Sequence, residues 1–375
     1  MNRYDLYGDV LNCLRSEARL RHIPEHRPRT EWLDLCSNDY MGLSRFDAEL
    51  RQDFTSRFAY APFSASASRL LSLNQVTHNR LESRLEGLYG NPALLFNSGY
   101  HANTGIISAL NVKDTLFVAD RLVHASMIDG LVMGRCVFKR FPHNDMAALG
   151  RILDKEGRQH DRIVVLAESI YSMDGDKAPL KELTELRSRH DNVLLYVDEA
   201  HAFGVRGARG LGLCEELGLM QEIDVLVGTL GKAAYSAGAF CVVPRVMKDF
   251  LINCARSFIF STALPPSNIA WSIVTIDKLL TMNSEREFLK NMARKVHARL
   301  GNGDNDTPIV PLHIGDAARA VEVSRRLADA GILALPIRRP TVPPGTERIR
   351  FSLNAGLTQA DTDRLFNTLD DLNLQ

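Results

Sequence analysis

A chain of 375 residues is long enough for two or three domains, and its core needs neither disulfide nor metal. Its 45 Lys plus Arg balance 45 Asp plus Glu, which argues against a general nucleic-acid binder; that class carries a basic excess. With 45% apolar and 24% charged residues, the composition is that of a soluble globular protein, not an acidic disordered chain.

The first residues, MNRYDLYGDV, have no apolar h-region, and no run of about 18 uncharged apolar residues follows, so a cytoplasmic protein with no membrane partner is expected. A helix is predicted from Tyr4 to about Arg21, then a Pro-containing connector, then a short strand Trp32–Cys36. Beyond it, strands alternate with helices. Helices are expected at Asn79–Tyr89, where Leu81, Leu85 and Leu88 recur at helical spacing, and at His101–Leu110, Met127–Met133 and Leu180–His190. Strands are expected at Ala93–Phe96, Thr115–Ala119, Cys136–Phe141, Ile163–Glu168, Val193–Val197, Val225–Gly228 and Gly238–Val243. Short apolar runs between helices imply βαβ units and a mainly parallel sheet, an α/β class. After Pro265 a long helix, Ser267–Leu300, is predicted, then a strand (Ile309–Ile314), a helix (Ala317–Ala330), strands at Leu333–Ile337 and Ile349–Leu353, and a last helix for which Thr358 and Asp361 form a capping box. This order describes a small α+β C-terminal domain.

The six cysteines contain no CxxC pair, which argues against a zinc ribbon or redox pair and for free or buried thiols; no HExxH occurs, and no metal site is expected.

Four segments carry chemistry. Lys232 lies in the small-residue stretch Gly228–Gly238, just after the apolar strand Val225–Val227. Small neighbours leave its amine uncrowded, and a partly desolvated lysine can form a Schiff base. Asp198 ends the strand that leads into Glu199-Ala200-His201. A carboxylate at the end of a parallel strand points into the crevice where such sheets bind ligands and can hold a pyridinium nitrogen protonated. A nucleotide-hydrolase reading of Asp198–His201 fails, because no GxxxxGK[ST] loop precedes it. Ser98-Gly99-Tyr100 opens a helix whose first N–H groups suit a phosphate. His124, after Asp120-Arg121-Leu122-Val123, is either a flat stacking partner for an aromatic ligand or a satisfied core histidine.

Together these segments resemble the α-oxoamine synthase family of pyridoxal-phosphate (PLP) enzymes. The likeness runs from about residue 14 to the end. Its motifs include Ser37–Leu43, His78–Glu82, Asn97–Tyr100, Ala119–Ser126, Tyr171–Asp176, Val197–His201, Thr229–Lys232, Phe260–Pro266 and Pro340–Thr346 followed by Arg350. The resemblance implies the aspartate aminotransferase-like PLP-dependent transferase fold, divided into an N-terminal arm (1–42), a large PLP-binding domain (43–280) and a small domain (281–375).

It also implies roles for single residues. Lys232 would carry the cofactor and serve as acid and base. Asp198 would pair with the pyridinium nitrogen, His201 would hydrogen-bond the ring hydroxyl, His124 would stack on the ring, and Ser172 would touch it. Gly99, Tyr100 and Thr229 would hold the phosphate, with Ser261 and Thr262 reaching it from a second subunit of a homodimer. Arg350 would clamp the amino-acid carboxylate, with Arg21, Asn38 and Thr341 lining the substrate site. The implied reaction is decarboxylative condensation of an amino acid, alanine first, with an acyl thioester of coenzyme A or an acyl carrier protein. Glycine acetylation, a serine-using transfer and an inactive scaffold are the alternatives. Two departures from the family pattern stand out. The usual GxGxSR reads Ser64-Ala65-Ser66-Ala67-Ser68-Arg69, and the usual K-A-x-G-x-x-G has Tyr235 at its first glycine.

Overall fold

The computed structural model describes residues 3–23, 32–73 and 75–374; the Pro-containing connector falls on 24–31, outside them. The chain forms two compact units: Met41–Ser172 with Asp176–Arg286, and Met1–Tyr40 with Met173–Gly175 and Glu287–Gln375.

The larger unit is built on seven strands: β1 (Ala93–Phe96), β2 (Thr115–Asp120), β3 (Val137–Phe141), β4 (Arg162–Glu168), β5 (Val193–Asp198), β6 (Val225–Thr229) and β7 (Ala239–Val242). Their order is β1-β7-β6-β5-β4-β2-β3. The five strands from β6 to β3 run parallel, and only β7 lies antiparallel to its neighbours. The mainly parallel α/β sheet expected from the apolar runs is therefore present. Both its faces are covered, so the strands read as unbroken apolar runs without alternation. Phe96, Ile106, Phe117, Met127, Val164, Tyr196 and Val227 meet in one core with the helices Gly99–Ala109 and Ala125–Met133.

The topology decides where polar residues can go. β6, β5, β4 and β2 are successive neighbours, and their carboxyl ends carry Thr229, Asp198, Glu168 and Asp120. Four polar groups thus line one rim of the sheet, where parallel α/β sheets take ligands.

The smaller unit has an antiparallel sheet of β8 (Ile309–His313), β9 (Leu335–Ile337) and β10 (Arg348–Ser352), with β10 in the middle. The expected strand Leu333–Ile337 is split in two. Ile332–Leu333 pairs in parallel with Leu33–Asp34, and the chain then joins the other sheet at Leu335. The expected Trp32–Cys36 strand is reduced to those two residues for the same reason. The capping box at Thr358 and Asp361 is formed.

Two helical expectations change. The first helix ends at Ser16, because Ala18 turns to φ 52° and the Arg19 N–H closes onto the Leu14 carbonyl. The long helix Ser267–Leu300 is two, Pro266–Leu279 and Asn283–Arg299; Thr281 caps the first by giving its hydroxyl proton to the Lys278 carbonyl. Helices also form at Asp47–Phe58, Met146–Glu156 and Arg245–Cys254, beyond those that the periodicity predicts. All six cysteines are free thiols. Among the described residues no helix is long and apolar enough to cross a membrane, and no cluster of potential metal ligands occurs.

Candidate active site

In the larger unit, the turn after β6 brings Lys232 Nζ to 2.8 Å from His201 Nε2, on the turn after β5. An ammonium has only donors, so His201 Nε2 accepts. Asp198 is buried with both oxygens occupied: Oδ1 accepts the Ala200 N–H at 2.8 Å and Oδ2 the Asn103 side-chain N–H at 2.8 Å.

His124 caps the helix Ala125–Met133, its Nδ1 accepting the Ser126 N–H at 3.2 Å and facing the Ser126 hydroxyl at 2.8 Å. His124 is exposed as a residue, yet its ring stands deep enough among protein atoms to hold its pKa below the ordinary value. Desolvation is the main cause; the Lys232 charge adds to it, and the charges of Asp198 and Asp129 oppose it. Lys232, Asp198 and His124 therefore share one electrostatic neighbourhood. A flat imidazole with a lowered pKa suits a planar ligand.

Ser98 caps the helix Gly99–Ala109 by accepting the His101 N–H at 3.2 Å. Thr229 is the polar neighbour of Gly99: a methyl group built there would stand 3.8 Å from Thr229 Oγ1, so the helix start and this hydroxyl lie side by side. First-turn N–H groups without helical partners, the helix dipole and a hydroxyl make an anion site. Tyr100 donates to Asp129 Oδ2 at 2.6 Å. Ser172 is buried. Ser261 and Thr262 meet Asn97 of the same chain: its amide donates to Ser261 Oγ at 2.8 Å and to the Thr262 carbonyl at 2.7 Å.

The smaller unit gathers the four remaining residues into two pairs. Arg350 donates from both terminal nitrogens to Asn38 Oδ1, at 3.2 Å each, and to the Tyr40 hydroxyl at 2.9 Å. Its Nε is buried without a partner. Arg21 donates to Thr341 Oγ1 at 3.0 Å.

Several groups here were not singled out from sequence. Asn103, Ser126 and Tyr196 form a buried network beneath Asp198 and His124. Glu168 pairs in register with Asp198 on the neighbouring strand. His143 bridges Asp120 and Asp176 at 2.9 and 2.7 Å. Their signals are single polar letters in apolar runs or turns, and only strand pairing gives them meaning.

The donor set fits PLP. An amine, a buried carboxylate, a flat imidazole and a helix N-terminus with a hydroxyl answer its aldehyde, ring nitrogen, ring face and phosphate. The fold is the aspartate aminotransferase-like fold of PLP-dependent transferases. The family profile for aminotransferase class I and II matches residues 30–369, and the chain belongs to this family.

Within it, the chain is similar to 8-amino-7-oxononanoate synthases. It is 44% identical over 371 residues to that of Haemophilus ducreyi, covering 93% of this chain and 96% of the relative. It is 40% identical over 381 residues to that of Chlorobaculum parvum, covering 96% of each. A serine palmitoyltransferase variant from S. paucimobilis, solved with a PLP–myriocin adduct, superposes with a TM-score of 0.87 at 29% identity, covering 98% of this chain and 97% of that one.

Proposed function

We propose that this chain is a PLP-dependent 8-amino-7-oxononanoate synthase. It would condense L-alanine with a pimeloyl thioester, releasing CO2 and the free thiol, in biotin biosynthesis. The observation that carries this reading is the meeting of Lys232, His201, Asp198 and His124 along one rim of the sheet, in a chain 44% identical to a protein of that name.

When bound, PLP supplies a ring that takes up the electron pair left at the amino-acid Cα. The protein's share is to hold and to move protons. Asp198, kept in place by two donors, would hold the ring nitrogen as a fixed acceptor. His124 would cover the ring face, His201 would serve the ring hydroxyl, and Ser172 would lie alongside. Gly99, Tyr100 and Thr229 would take the phosphate, joined by Ser261 and Thr262 from the second copy of a homodimer. Lys232 would anchor the cofactor, and its amine would take the amino-acid Cα proton and later return one. Arg350 holds the alanine carboxylate in its planar fork, with Asn38 setting its plane and Arg21 and Thr341 beside the acyl chain. The thioester arrives on coenzyme A or an acyl carrier protein, in the cytoplasm.

Purified protein given PLP should turn yellow and lose the band on borohydride reduction. With alanine and pimeloyl thioester it should form a product of the mass of 8-amino-7-oxononanoate. Protein that stays colourless overturns the PLP reading. Turnover of serine with a long acyl thioester, in place of alanine, favours the second reading that the serine palmitoyltransferase likeness supports.

A further inference from the structure

We propose that Asn103 is a positioning residue that holds Asp198 and His124 in one setting, through a buried network anchored by Tyr196. The proposal rests on the PLP reading for its purpose, but its geometry does not.

Asn103, Ser126 and Tyr196 are each fully or almost fully buried. The Tyr196 hydroxyl donates to Asn103 Oδ1 at 2.6 Å. That contact decides which way the amide lies. Turned over, it would set its oxygen against the Asp198 carboxylate and its NH2 against a hydroxyl proton. With the oxygen on Tyr196, both N–H bonds face acceptors: Asp198 Oδ2 at 2.8 Å and Ser126 Oγ at 2.9 Å. Every polar position of the amide is used.

The chain of donors then runs one way. Ser126 Oγ accepts from Asn103, so its own proton is free for His124 Nδ1 at 2.8 Å. The Ser126 backbone N–H also points at that nitrogen, at 3.2 Å. Two donors on Nδ1 leave no room for a proton there. The His124 proton is therefore on Nε2, and the ring plane is set from below. One amide thus aims the carboxylate and fixes the tautomer of the imidazole. An asparagine that merely filled the core would satisfy Tyr196 and do neither.

The test uses the full chain, first without cofactor. In protein labelled with 15N-histidine, the His124 signal, identified by its loss in His124→Gln, should show Nδ1 unprotonated and hydrogen-bonded and Nε2 protonated. Asn103→Ala should move the Nδ1 resonance and admit the other tautomer. PLP titration should then show binding weakened about 10- to 100-fold, as for a lost hydrogen bond to a charged group. Tyr196→Phe should weaken PLP binding about 2- to 10-fold in the wild-type background and add nothing in Asn103→Ala. Ser126→Ala should shift the His124 resonance while leaving PLP affinity within about threefold, since the Asn103–Asp198 bond survives. Should Asn103→Ala not fold, the Tyr196 and Ser126 variants carry the same two readouts. An Nδ1-protonated His124 in the wild type, an Asn103→Ala protein with unchanged PLP affinity, or equal Tyr196→Phe losses in both backgrounds would overturn the proposal. Wild-type protein that does not bind PLP would sink the functional reading and leave the tautomer test standing.

Discussion

Glu168 and Asp198 are in register on adjacent parallel strands, so two buried carboxyl groups emerge side by side at the rim of the sheet. They are not equally served. Asp198 has two donors. Glu168 receives the His124 backbone N–H, and its Oε1 has no partner. Burial first, then the charge of Asp198, raises the Glu168 pKa well above the ordinary carboxylate value, with Asp120 adding to this and Lys232 opposing it. Two adjacent buried carboxylates cannot both ionise cheaply, and the less solvated one keeps its proton.

The consequence for stability has a definite sign. The folded-state pKa of Glu168 lies above the unfolded value of about 4.3, so its contribution is complete below that pH and is lost as pH rises, by up to about 1.4 kcal/mol per pH unit. Glu168→Gln is neutral throughout and should be more stable than wild type at pH 7, with the gap closing toward pH 4. Thermal unfolding of the two proteins across that range measures it, together with loss of a protonated-carboxyl infrared band in the variant. A gap that widens on acidification would refute the assignment.

His143 shows the opposite case. Nδ1 faces Asp120 at 2.9 Å and Nε2 faces Asp176 at 2.7 Å, so both nitrogens donate and the ring is a cation. Burial would lower its pKa, but hydrogen bonds and charges from the two aspartates outweigh this and raise it to about 10. A raised histidine stabilises fully below its unfolded pKa of about 6.5 and loses that contribution as pH climbs through about 10. His143→Ala leaves the Asp120 side chain, 0% exposed, without its counter-ion, and should cost about 3–5 kcal/mol near neutrality. The deficit relative to wild type should shrink at alkaline pH, as denaturant unfolding at pH 7 and pH 10 would reveal.

The two departures from the family's glycine pattern have a common outcome. Ser66 and Tyr235, at the glycine positions of the pattern that the resemblance implies, have φ of 54° and 48°. The backbone is left-handed at both positions without glycine, at roughly 1–2 kcal/mol for each residue. Tyr235 is held by its surroundings: its N–H closes onto the Lys232 carbonyl at 2.9 Å, its carbonyl accepts the Trp271 indole N–H at 2.8 Å, and its ring packs 6.3 Å from that indole. A β-branched side chain fits this conformation worst. Tyr235→Val should unfold earlier than Tyr235→Gly by about 1–2 kcal/mol, and because Lys232 is on the same turn it should also bind PLP more weakly. Equal melting temperatures for the two would contradict this.

What could be read from the residues follows the range of the interaction. Asp198 and Lys232 declare themselves because an apolar run must end where the sheet meets solvent, and a charge at that point is visible in one dimension. The helix at Val76–Tyr89 and the capping box at Thr358 are equally local. Glu168 closes the same kind of run, but its meaning needs the register against Asp198. Asn103 looks like any polar residue in a helix until β5 brings Tyr196 beneath it. The helix Asp47–Phe58 escaped notice because its apolar residues are few, Leu50 and Phe58 being the ones it buries.

Arg350 and Asn38 are 312 residues apart and form a pair, as the substrate reading requires of a clamp. The guanidinium is fixed in plane by Asn38 Oδ1 and the Tyr40 hydroxyl, which itself donates to Asn38 at 3.0 Å. A carboxylate needs two parallel N–H bonds from such a plane, and lysine, a single mobile point charge, cannot offer them. Arg350→Lys should raise the KM for alanine about 10- to 100-fold, equivalent to about 1.5–3 kcal/mol, while PLP colour and affinity stay near wild type. Asn38→Ala keeps the charge and loses its orientation, so its KM should rise by less, about threefold to tenfold. Loss of colour in Arg350→Lys would place Arg350 with the cofactor instead, and an unchanged KM would remove it from the substrate site.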